Sequence, residues 1–166
     1  MSRPRGVDDE RLRDLLAEAV DLAEANVADG GGPFGALVVR GDVVVGRGVN
    51  RVVADRDPTA HAEVVAVRDA CRRLGTHDLG GCLLVASCQP CPLCRSAAWW
   101  ARVARVVHAA TAADAARAGF DDAVLADELR VPAGGPQARL RHEHVVVPGA
   151  DRPFRAWARA EARVPY

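Results

Sequence analysis

A chain of 166 residues with 22 basic and 22 acidic side chains has a formal net charge of zero, so its bulk electrostatics draw it neither to nucleic acid nor to an anionic membrane. The length fits a single domain, residues 1–166, able to bury roughly 70% of the surface its unfolded form exposes without disulfide staples. No apolar run approaches the roughly 20 residues of a bilayer span, and the charged start MSRPRGVDDERLRDLL has no signal-peptide stretch, so a cytoplasmic protein with no membrane contact is expected.

The first predicted element is an amphipathic helix from Asp8 to about Ala28, with Leu12, Leu15, Leu16, Val20, Leu22 and Val27 at near-helical spacing. Gly30-Gly31-Gly32-Pro33 ends it. ALVVR and VVVGRG, joined by Gly41-Asp42, form a hairpin. Thr59 is the expected cap of a helix through HAEVVAVRDACRRL. LLVAS is a buried strand, Pro90 marks its turn, a helix runs through CPLCRSAAWWAR, and RVVHAA is the next strand. Helical pieces follow at Ala112–Ala118 and Asp121–Arg130, then a loop at VPAGGPQ, an edge strand at HEHVVV, and a closing helix RPFRAWARAEAR with Phe154 and Trp157 on one face. This order predicts an α/β three-layer sandwich with a mixed central sheet of about five strands flanked by helices.

Five cysteines is an odd number, and Cys88, Cys91 and Cys94 stand close together, which in a reducing compartment points to metal or redox chemistry. Cys71 and Cys82 read as small buried hydrophobes. Catalytic zinc takes three His or Cys type ligands and leaves one position for water, whose pKa it lowers from about 15.7 to about 7. His61, at the start of one predicted helix, and Cys91 and Cys94, on one face at the start of another, offer such a set. The partial positive charge of both helix starts favours thiolates. Glu63, two residues beyond His61, can stand beside the water while the imidazole meets the metal, and there it can carry protons from water to a ring nitrogen and to departing ammonia. H-x-E with a later P-C-x-x-C is the known signature of zinc deaminases.

Two other chemistries use the same cysteines. Cys91-Pro92-Leu93-Cys94 has the form of a dithiol redox motif, and Cys88, Cys91 and Cys94 resemble the opening of an iron–sulfur run. Neither accounts for His61 and Glu63, and position 98, where that run expects a fourth Cys, is Ala. A third possibility is a non-catalytic zinc module in which Cys88 completes a four-ligand structural site.

GGPFGALVV, Asn50-Arg51, DPTAHAEVVAVRDAC, SCQPCPLC, AGFDDA and FRAW with a terminal Tyr resemble, in order and spacing, the cytidine deaminase superfamily, most fully its bacterial guanine deaminase type. The resemblance spans nearly the whole chain. It implies one zinc per chain on His61, Cys91 and Cys94, with Glu63 as proton shuttle. It further implies that Asn50 bonds the base, that Asp122 binds the substrate amino group and assists its departure, and that Phe34 and Trp100 wall the base. Trp99 is expected in the core. In this family the C-terminal segment, about residues 151–166 here, crosses to a partner subunit, so the resemblance implies a swapped homodimer with Tyr166 closing the pocket. The family pattern has Glu where this chain has Gln89. The activity implied is hydrolysis of free guanine to xanthine and ammonia. Cytosine, isoguanine or an amino-triazine are alternative bases. A tRNA adenosine deaminase is a related alternative, disfavoured by the neutral charge and the lack of a basic tail.

Overall fold

The computed structural model describes residues 7–131, 143–162 and 164. It divides into two compact units, Met1–Asp122 and Ala123–Tyr166. The first unit opens with helix α1 (Asp9–Ala28), capped by the Asp8 carboxylate, which accepts the Arg11 N–H at 2.8 Å. Strands β1 (Gly32–Arg40) and β2 (Val43–Asn50) form the predicted hairpin, with Gly41 at a left-handed φ of 60° in the turn. Then follow a one-turn helix α2 (Val52–Asp55), helix α3 (Ala62–Leu74), β3 (Leu83–Cys88), α4 (Pro92–Trp100), β4 (Arg105–Ala110) and α5 (Ala112–Arg117).

The sheet runs β2-β1-β3-β4, antiparallel at the first two junctions and parallel at β3–β4, where α4 makes the crossover. Side-chain alternation along the strands divides the core in two. Leu37, Val39, Leu83 and Val85 meet Leu15 and Ala19 of α1, while Ala36, Val38 and Leu84 meet Ala62, Ala66, Val67 and Ala70 of α3 and Ala98 of α4. Helices thus cover both faces, and the three-layer mixed sandwich expected from the sequence is the fold observed.

The sheet has four strands among the described residues, not about five. Within HEHVVV, His142 lies outside the described residues, and 143–147 form no strand. Val145, Val146 and Val147 are exposed. VPAGGPQ lies outside the described residues after Val131. The second unit holds α6 (Ala123–Glu128) and α7 (Arg152–Arg159). No described helix is long and apolar enough to cross a membrane.

α3 lies unusually close to β2. A Cβ on Gly48 would fall 2.2 Å from the Ala62 carbonyl oxygen and 2.4 Å from Ala66 N, and one on Gly46 would fall 2.5 Å from the Ala66 oxygen. Ala62, Ala66 and Ala70, one turn apart, complete this backbone contact, which fixes where α3 begins. Gly48→Ala is therefore expected to destabilise the protein by about 3 kcal/mol, because neither backbone can yield cheaply. Denaturant unfolding checks this, and an unchanged midpoint would contradict it.

Candidate metal centre and substrate cavity

Two helix starts build the centre. His61 is the N-cap of α3 and Cys91 the N-cap of α4, both in extended backbone, and neither side chain makes a capping bond. Thr59 is not the cap as expected. Its N–H and hydroxyl both bond the Asp57 carboxylate, at 2.8 and 2.6 Å, so it closes a turn before the helix begins. Pro92 sits at the first position of α4, where its missing N–H costs nothing. Cys94 is three residues past the cap, the spacing at which cap and third-residue side chains face each other.

His61 Nδ1 lies 3.5 Å from both sulfurs, and the sulfurs lie 3.6 Å apart. Tetrahedral zinc with bonds of about 2.3 Å to sulfur and about 2.0–2.1 Å to nitrogen holds two sulfurs about 3.8 Å apart and each sulfur about 3.6 Å from the nitrogen. The three donors therefore fit the ion. The sulfur–sulfur hydrogen bond, with help from His61, holds Cys91 down to about 4, and the same bond, together with burial and Glu63, pushes Cys94 above the usual thiol range. The bond to Cys91 also raises His61. The three groups compete for protons that a divalent cation displaces on binding.

Glu63 stands in the first turn of α3, 7% exposed, with Oε2 3.3 Å from the Cys94 sulfur. Burial pushes its carboxyl above the ordinary range. Cys88 is not a fourth ligand. Among the described residues the convergent group is His61, Cys91 and Cys94, while the Cys88 thiol donates to the Thr111 carbonyl at 3.4 Å. Among the described residues no fourth donor closes the site.

A cavity of about 590 Å³ adjoins the centre, and His61, Glu63 and Cys91 line it together with Asn50, Asp122 and Phe34. Trp100 does not line it. Cys94 and Ala98 turn inward from α4, leaving Trp99 and Trp100 on the outer side, 72% and 57% exposed and edge-on to each other with ring centroids at 5.0 Å. Trp99 is accordingly not a core residue as expected. Tyr166 lies outside the described residues. Phe120, which the sequence reading left without a role, does line the cavity and meets Phe34 edge-to-face at 5.0 Å. The AGFDDA segment contained that signal, but only the fold shows which member turns inward. Gln89 lines the cavity as well, and its Oε1 accepts the N–H of Ala112, the first residue of α5, at 3.3 Å. A carboxylate makes the same bond, so this contact does not require the family's Glu.

The arrangement sets three convergent donors able to hold a metal ion, His61, Cys91 and Cys94, and a buried carboxyl, Glu63, beside a cavity of base-binding size. The profile of the cytidine and deoxycytidylate deaminase zinc-binding region matches residues 9–110. The chain is 44% identical over 144 residues to guanine deaminase of Bacillus subtilis, covering 86% of this chain and 91% of that one. The solved structure of the same enzyme superposes with a TM-score of 0.89 at 40% identity, covering 96% and 99% of the two chains. A solved guanine deaminase from Nitrosomonas europaea matches with a TM-score of 0.65 at 35% identity, over 73% of this chain and 69% of that one. A tRNA-specific adenosine deaminase of Aquifex aeolicus is 40% identical over 58% of this chain and 64% of its own length. The chain belongs to the cytidine and deoxycytidylate deaminase zinc-binding family, and within it is a guanine deaminase homologue, a zinc-dependent hydrolytic nucleobase deaminase.

Proposed function

We propose that the protein hydrolyses free guanine to xanthine and ammonia, with His61, Cys91 and Cys94 holding one zinc per chain. The observation that carries this is a single cavity lined by His61, Cys91 and Glu63 and also by Asn50, Asp122, Phe34 and Phe120. When bound, zinc supplies a water of lowered pKa as the nucleophile. Glu63 would take one proton from the attacking water as the water oxygen bonds to the amino-bearing carbon, and would pass it to the adjacent ring nitrogen. Glu63 would then move the remaining proton of the newly attached hydroxyl to the amino group; the carbon–nitrogen bond breaks with its electron pair on nitrogen, leaving a carbonyl on the ring and ammonia free. Asn50 offers a donor and an acceptor to the ring edge. Asp122 accepts from the amino group and assists its departure. Phe34 and Phe120 exclude water from the ring faces.

The protein acts as a homodimer in which about residues 151–166 cross to the partner and Tyr166 closes the pocket. Supporting this, α7 exposes Phe154 by 75% and Trp157 by 46%, apolar rings for a second copy to cover. Light scattering is expected to give about twice the 17.6 kDa chain mass, and a fully active monomer would contradict the swap. Five free cysteines, two of them in the metal centre, suit a cytoplasmic setting. Ammonia release over guanine, isoguanine, cytosine, adenine and adenosine in tRNA tests the substrate. Guanine is expected to give the highest kcat/KM, and preference for any other member would replace this reading.

A further inference from the structure

Asn26 takes no part in the chemistry above and does not line the cavity. It lies half-buried in the last turn of α1, where its Nδ2 donates to two carbonyls, Gly32 at 2.8 Å and Asn50 at 2.9 Å. A side-chain amide has two donors, and both are used. The Asn26 backbone carbonyl accepts the Gly31 N–H at 2.7 Å. The clasp falls where the hairpin is least regular: Gly32 pairs with Asn50 in the β1–β2 ladder, and the register slips between Gly32 and Gly35.

The neighbouring glycines are shaped around the same two asparagines. A Cβ on Gly31 would fall 2.3 Å from Asn26 Nδ2, and one on Gly32 would fall 2.9 Å from Asn50 Oδ1. On the far side of Asn50, the Arg51 N–H donates to the Ala60 carbonyl at 2.9 Å, one residue before the ligand His61. Asn50 is thus held through its carbonyl by Asn26 and through the next peptide by the loop that carries His61.

We propose that Asn26 is a positioning residue for base recognition, its paired bonds to the Gly32 and Asn50 carbonyls setting the place at which the Asn50 side chain meets the ring edge of a nucleobase. The inference rests on Asn50 contacting the base. It predicts that Asn26→Ala raises KM for guanine about tenfold with kcat changed less than about twofold, because ground-state and transition-state binding are lost together. Asn26→Asp keeps the volume but offers only acceptors to two carbonyl oxygens, and is expected to do the same or worse. In an Asn50→Ala background the added effect of Asn26→Ala shrinks to less than about twofold, since the residue it positions is gone.

The test is steady-state kinetics on the zinc-loaded protein for the two single variants and their combination, with zinc content and thermal melting of each. Non-additive KM effects at one zinc per chain support the inference. Equal losses in both backgrounds, a wild-type KM in both Asn26 variants, or zinc lost in step with affinity would overturn it. A kinetically silent Asn50→Ala would overturn the reading of Asn50 itself and the inference with it, an outcome distinct from additive losses.

Discussion

Replacing Glu63 by Gln is expected to slow guanine deamination by about 10²–10⁴-fold, the usual contribution of a positioned proton carrier, while one zinc per chain stays bound. Gln keeps the shape of the side chain and its place in the first turn of α3, but an amide does not take a proton from water. Glu63 touches the centre through the Cys94 sulfur and is not a member of the convergent donor set, so the metal does not depend on it. Burial makes the position costly for a charge, which argues against an incidental surface acid there. Ammonia release and metal analysis on the same preparation check the result. Full activity, or loss of the zinc, would remove Glu63 from the assigned role.

Cys94→Ala is expected to abolish both metal binding and turnover. Three protein donors hold the ion, so one fewer leaves His61 and Cys91 alone, and the loss of affinity should exceed the roughly 100-fold seen when a residue behind a ligand is changed. Cys88→Ser provides the contrast. Its thiol serves the Thr111 carbonyl, a bond that a hydroxyl also makes, and zinc is retained at one per chain. Zinc retained by Cys94→Ala, or lost from Cys88→Ser, would move the ligand set to Cys88 and toward a structural centre.

The cysteine half of the donor set was legible because it is local, and His61 was added by the H-x-E with P-C-x-x-C signature, not by proximity in the chain. Cap and third-residue positions of α4 set Cys91 against Cys94 from spacing alone, while the meeting of the α3 cap with them is a contact of the fold. The core was legible for a similar reason: alternation along β1 and β3 sorts Leu37, Val39, Leu83 and Val85 from Ala36, Val38 and Leu84. What stayed hidden depends on contacts between distant segments. Thr59 looks like a cap until Asp57 claims its hydroxyl. Asn26 reads as one more polar residue near a helix end, and only the meeting of β1 and β2 gives its amide two carbonyls to hold. Gly46 and Gly48 lie unremarked within the VVVGRG strand, yet they are where α3 comes to rest. Trp100 stands on the outer side of α4 because of its phase on that helix, which a motif does not show, and Phe120, beyond the end of α5, lines the cavity instead.

The most direct test removes the metal and restores it stepwise while guanine turnover is followed. Activity absent from the apo protein should rise linearly to a break at one zinc per chain, with one xanthine and one ammonia formed for each guanine consumed. A protein carrying one zinc on His61, Cys91 and Cys94 that releases no ammonia from guanine would contradict the account.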